Sequence, residues 1–181
     1  MKKIIAGAIV GGIIIFIWQT LSWTVLNIHY KAEQYTPKQD SILQFLSTQD
    51  LKTGQYLMPG LPPGSTMDDM NKLGAKAEGK PWAVISYHQR HEMNMGMNML
   101  SVFAVNILIV ALLCWILLKM NAPGFGTIFL SSLFVGLIVF LNSPYTYHIW
   151  YQSPNMKGEL IDAVVNWGAV GLWLGWWLRK K

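Results

Sequence analysis

The densest chemistry in the chain lies in one short segment, His88-Gln89-Arg90-His91-Glu92-Met93-Asn94-Met95-Gly96-Met97-Asn98-Met99. On a helix, His88, His91, Met95 and Met99 fall within about 80° of arc; in an extended chain starting at His91, that histidine and all four methionines share a face. Either geometry gathers imidazole and thioether, a donor set that suits copper and above all Cu(I). The competing reading is that methionine, an adaptable filler, simply packs an irregular interface. No cysteine joins the group. The single Cys114 lies in an apolar run, so a disulfide within the chain is excluded.

A second set of residues is made of amides. Counting from Ile4 at an inner edge and from Asn98 and Leu160 at an outer one, Gln19, Asn106 and Asn166 come to one depth, roughly 8 to 12 Å beneath the outer surface at 1.5 Å per residue. They are expected either to line a small outward-opening polar pocket or to bond helices together, at about 0.6 kcal/mol each. Catalytic patterns are missing: there is no His-Glu-x-x-His and no glycine-rich phosphate loop. Transport would ordinarily leave an ionisable residue inside a span. Asp162 and Glu159 are placed only at the outer end of the last apolar run, so neither catalysis nor pumping is expected.

The elements that position these residues follow from composition. The chain has 181 residues, 52% hydrophobic and only 13% charged, where a soluble domain carries nearly twice that share of charge. The charges are clumped, which leaves four apolar runs, Ile4 to Leu26, Met99 to Leu118, Gly124 to Leu141 and Leu160 to Leu178. Each is close to the roughly 18 residues that a hydrocarbon core demands, the third being the shortest. The expected fold class is therefore an all-α integral membrane protein with four transmembrane helices and a small α+β extracytoplasmic cap between helices 1 and 2. Its expected divisions are helix 1 over 1–28, the cap over 29–97, helix 2 over 98–119, helix 3 over 123–142, an outer loop over 143–158, and helix 4 with a basic tail over 159–181.

Charge sets the orientation. Lys2, Lys3, Lys119, Arg179, Lys180 and Lys181 fall on one side of the four runs with no Asp or Glu, whereas the other eight Lys and Arg share their side with all nine acids. The positive-inside rule then places both termini in the cytoplasm, and the net charge of +5 needs no nucleic-acid partner. All four histidines, His29, His88, His91 and His148, fall outside. Lys2 and Lys3 ahead of an apolar stretch also suit a signal peptide. The run continues to full spanning length, so an uncleaved first helix is expected.

Within the cap, Thr36-Pro37-Lys38-Gln39 predicts the start of a short surface helix carrying Ile42, Phe45 and Leu46 on one face. Ser65 or Thr66 predicts a second helix start, with Asp68 and Asp69 at its positive end, and Gly79 and Pro81 its stop. Trp82 to Tyr87 reads as a strand able to pair with Gln55 to Met58. So small a segment buries little by itself and is expected to lean on the membrane domain or on a partner.

In the spans, Gly7 and Gly11 form a small-xxx-small pair, and Gly168, Gly171 and Gly175 fall within about 60° of arc opposite Trp173, Trp176 and Trp177. These glycines are expected to be helix-packing positions, with the tryptophans facing lipid or a partner. The first span and its exit, Phe16-Ile17-Trp18-Gln19-Thr20-Leu21-Ser22-Trp23 continuing to His29, resemble a group of small bacterial inner-membrane proteins with no established activity. The likeness extends to the Pro-Gly loop and to Lys80-Pro81-Trp82, and it implies the same layout and location. Function is expected to be that of a non-enzymatic accessory or scaffold subunit, partnered by lipid and by membrane or periplasmic proteins or further copies of itself. The alternative is an outward-facing copper or small-ligand handling protein; otherwise no cofactor is expected.

Overall fold

The computed structural model describes residues 1–179, so Lys180 and Lys181, two of the inner-side charges counted above, lie outside the described residues. The chain divides into two compact units, one formed by Met1–Gln34 together with the chain from Met93 on, the other by Tyr35–Glu92.

The first unit is helical. Helix α1 covers Lys2–Thr20 and runs on as a π-helical turn over Leu21–Val25; α4 covers Met95–Lys119, α5 Phe125–Phe140, α6 Thr146–Tyr151 and α7 Met156–Leu178. Three stretches are long and apolar enough to cross a membrane, Lys2–Val25, Met95–Lys119 and Phe125–Tyr151. Helix α7 matches them in length with 23 residues, but Glu159, Asp162, Asn166 and four indole rings dilute its apolar character. The expected outer loop over 143–158 is mostly helix. Pro144 has no N–H to give to the ordinary ladder, and the chain absorbs it in a π turn over Leu141–Tyr145 before α6 continues the rod. The Thr146 hydroxyl reinforces that turn by donating to the Leu141 carbonyl at 2.8 Å.

The first unit is inside out relative to a soluble bundle. Along α1 the isoleucines at positions 5, 9, 13 and 17 are exposed, while Gly7, Ala8, Gly11, Gly12 and Ile15 are buried. An apolar stripe turned outward at helical spacing is what lipid solvates. Helix α7 packs on both α1 and α5, α1 packs on α4, and α4 scarcely touches α5 although a tight turn joins them. The core consists of Ile15, of Val110, Leu113, Cys114 and Leu117 from α4, of Ile128, and of Val170, Leu174 and Leu178 from α7.

Helix α7 uses two faces to make these contacts. A β-carbon on Gly171 would lie 3.0 Å from the Phe129 carbonyl oxygen, and one on Gly175 would lie 2.9 Å from the Phe125 ring. On the other face, Trp173 donates to the Gly7 carbonyl at 3.2 Å and Trp177 to the Lys3 carbonyl at 2.9 Å. The tryptophan face expected to meet lipid or a partner therefore holds α1, because each indole N–H finds a carbonyl there; Trp176 alone of the three is exposed. Through these pairings Lys2, Lys3, Lys119 and Arg179 gather at one end of the unit.

The second unit is an α+β cap. Strands β1 (Gly54–Met58) and β2 (Ala83–Tyr87) pair antiparallel, with Gly54 opposite Tyr87 and Met58 opposite Ala83. Helix α3 (Met67–Ala77) joins them, and α2 (Gln39–Ser47) precedes them. The start of α3 is a reciprocal capping box: the Thr66 side chain accepts from the Asp69 N–H, and Asp69 accepts from the Thr66 N–H. That backbone hydrogen bond holds the Asp69 carboxyl below its ordinary value of 3.8. The Thr36-Pro37 start predicted for α2 is not used. The chain turns at Pro37 and Lys38, the Thr36 hydroxyl accepts from the Lys38 N–H at 3.3 Å, and helix begins at Gln39. Leu46 is the one buried side chain of this unit.

Candidate functional site

The most elaborate polar site is one that no sequence pattern announces. The π turn after α1 carries Ser22, and Asn27, in the left-handed region at φ 49°, then reverses the chain so that His29 folds back beneath it. The carboxylate of Asp162, in the second turn of α7, lies opposite. Its Oδ1 accepts from Trp18 Nε1 at 2.8 Å and from Ser22 Oγ at 2.7 Å, and its Oδ2 lies 3.0 Å from His29 Nε2. His29 Nε2 is also 2.9 Å from Ser22 Oγ. On the ring's far side, Asn155, which precedes α7, places its amide 2.5 Å from His29 Nδ1 and donates to Glu159 at 3.2 Å. Trp23 stacks flat on the imidazole with centroids 4.2 Å apart.

Ser22, His29 and Asp162 have the residue types of a nucleophilic triad but not its geometry. A triad base takes the serine proton on one ring nitrogen and rests the other on the carboxylate. Here serine and carboxylate meet the same nitrogen and bond each other, and Ser22 is wholly buried. The arrangement is a clamp that ties the exit of α1 to the start of α7. Asp162, placed at an interfacial helix end from the sequence, is its hub. Trp18 on α1 and Ser22 in the π turn lie one turn apart, two donors facing one acceptor.

The predicted amides divide. Asn106 donates to the Gln19 carbonyl at 2.8 Å, joining α4 to α1, whereas Asn166 has a buried Oδ1 without a partner and is not linked to them. Among the predicted packing glycines, a β-carbon on Gly7 would lie 3.0 Å from Cys114 Sγ and one on Gly11 2.7 Å from Val110; Gly168 borders open space. The predicted metal ligands take neither of the two geometries considered. His88 and His91 lie in a bent segment of the second unit, and helix begins only at Met95, because Asn94 caps it by accepting from the Met97 N–H at 3.0 Å. Met95 and Met99 belong to the helical unit and are exposed.

The cap presents an apolar groove of about 540 Å³ lined by Leu57, Leu61, Met70, Leu73 and Trp82. A second hollow, about 550 Å³, shares Pro59, Leu73, Ala77 and Trp82 and is edged by Lys76 and Lys80. Leu57, Met70 and Trp82 are each about half exposed, at 46%, 57% and 48%. Comparison with protein families, with curated proteins and with solved structures finds no match to this chain.

Proposed function

We propose that this chain is a four-span protein of the bacterial inner membrane, with both ends in the cytoplasm and the cap outside, and that it serves as a non-enzymatic accessory subunit docking a partner protein through its cap. The observation that carries this reading is the cap's lack of a core. Between Tyr35 and Glu92 only Leu46 is buried, yet Leu57, Leu61, Met70 and Trp82 line one exposed groove. A unit of this size has little burial to stabilise it, and four of its exposed large apolar side chains are gathered in one groove. Lys76 and Lys80, neither paired with a carboxylate among the described residues, suit a partner segment with apolar anchors and acidic flanks.

Orientation rests on Lys2, Lys3, Lys119 and Arg179 gathered at one end of the helical unit. Reporter fusions should score cytoplasmic after Lys119 and external near Gly60. The docking reading is tested on full-length protein purified from its native membrane in mild detergent. One protein at constant stoichiometry should co-purify and be lost from Trp82→Ala, since a buried aromatic anchor contributes about 2 kcal/mol, or roughly thirtyfold in affinity. A variant that keeps every co-purifying protein would overturn the reading.

A further inference from the structure

A cavity of about 740 Å³ opens in the helical unit at the end remote from Lys2 and Lys119. Its walls come from three places: Ile28, Tyr30 and Lys31 beyond α1, His148 and Ile149 of α6, and the loop and first turn of α7 from Gln152 to Gly158. Two cations line it, Lys31 and Lys157, and neither is paired with a carboxylate among the described residues. Lys31 rests instead near the face of Tyr30, 5.7 Å from the ring centroid. No acid lines the cavity; the nearest in sequence, Glu159, accepts from Asn155.

The floor and sides are held in place. Asn155 is buried and tied to His29, itself locked by Asp162 and Ser22. His148 donates from Nδ1 to the Ser153 carbonyl at 2.9 Å, and Gln152 turns the chain in the left-handed region at φ 45°. Asn155 makes no side-chain cap to α7, so the amides of the first turn lack that partner, and Met156, Lys157 and Gly158 of that turn line the cavity.

We propose that this cavity binds a phosphate-ester headgroup. Two lysines without a carboxylate partner line it together with the uncapped first turn of α7, and no carboxylate competes, which favours a phosphate oxyanion over a neutral solute. Ile28 and Ile149 in the same walls, with Trp150 exposed beside them, suit an amphiphile whose ester lies in the cavity and whose chains lie along the aromatic rim. The inference concerns the helical unit alone and does not depend on the cap, so Trp82→Ala should leave headgroup binding unchanged.

The test uses full-length protein in nanodiscs of phosphatidylcholine doped with phosphatidylglycerol, with retained phosphatidylglycerol counted by native mass spectrometry. Wild type should retain it selectively, and Lys31→Gln with Lys157→Gln should weaken retention about 25-fold, about fivefold for each charge removed near the membrane surface. The pair Lys31→Arg with Lys157→Arg should retain it, showing that the loss comes from charge and not from misfolding, and Lys72→Gln in the cap should have no effect. Soluble glycerol phosphate forms the second arm: displacement of the lipid by it at millimolar concentration would assign the site to a free phosphate ester, and failure to displace would assign it to lipid. Equal retention by wild type and the double glutamine variant, or no binding of either probe to wild type, overturns the inference.

Discussion

In the helical unit, nine apolar side chains from four helices are at most 3% exposed and form one connected core, and Asp162 beside it is met by three donors. In the cap, Leu46 is the one buried side chain, and Leu57, Leu61, Met70 and Trp82 line an open groove. The first unit satisfies itself internally and leaves apolar surface outward where lipid supplies the solvent. The second is held by a capping box, a two-stranded ladder and the Gln89 bonds to Leu51 and Thr53, and leaves most of its apolar side chains exposed. Small size alone does not account for the contrast. Tertiary burial stabilises one unit, while the other relies on a helix cap, one ladder and the Gln89 bonds beside it.

The sharpest break in that contrast comes at the clamp. Asp162→Ala leaves the donors of Trp18, Ser22 and His29 without an acceptor beside a buried core, and removing one member of such a buried network costs about 3 to 5 kcal/mol. Thermal unfolding of the full chain in detergent should show a large drop, whereas Leu57→Ala in the cap groove should leave the helical transition in place. Comparable shifts from the two variants would dissolve the distinction between the units.

A smaller effect is expected at the glycine face. Gly171→Leu forces side-chain atoms against the Phe129 carbonyl and Ser132, and overpacking costs about 1 to 3 kcal/mol, while Leu172→Ala removes an exposed side chain from the same helix. Unequal melting temperatures, with Gly171→Leu the lower, sharpen the assignment of α7 as the joining helix; equality breaks it. The smallest effect concerns the cap's own devices. Because the Asp69 carboxyl is held low in the folded state, its contribution is fully present above the ordinary value near 3.8 and fades as pH falls through the lower folded value. Amide exchange in the first turn of α3 should quicken there, and Thr66→Ala should produce the same change at neutral pH without moving the helical transition.

Much of the layout was legible because its causes are local in sequence. Hydropathy marks α1, α4 and α5; Thr66 with Asp69 marks the start of α3; the strand readings of Gln55 to Met58 and Trp82 to Tyr87 match β1 and β2 to within one residue at each end. The clamp was not legible, since His29 and Asp162 are separated by most of the chain and only a particular crossing of α1 and α7 brings them together. The helix over Thr146–Tyr151 was missed because Pro144 normally ends a helix, and the π turn that rescues it leaves no compositional mark. The histidine–methionine segment was read as one element, but Asn94 makes a better helix start than anything before it. The tryptophans of α7 were assigned outward because they lie opposite the glycine face. Their N–H groups, which find the carbonyls of α1, were the better guide.

The two-faced packing of α7 has a consequence for the order in which the chain can be assembled. Helices α4 and α5 scarcely touch, and α7, the fourth of the long helices to leave the ribosome, is the helix that packs extensively on both α1 and α5 among the described residues. Until it arrives, the nascent protein is two insertion products side by side, an α1–α4 pair and a lone α5 rod, with Ser22 and His29 lacking their acceptor and the Phe125–Ser132 stretch of α5 lacking its partner. The bundle as a whole can therefore close only once α7 has been made.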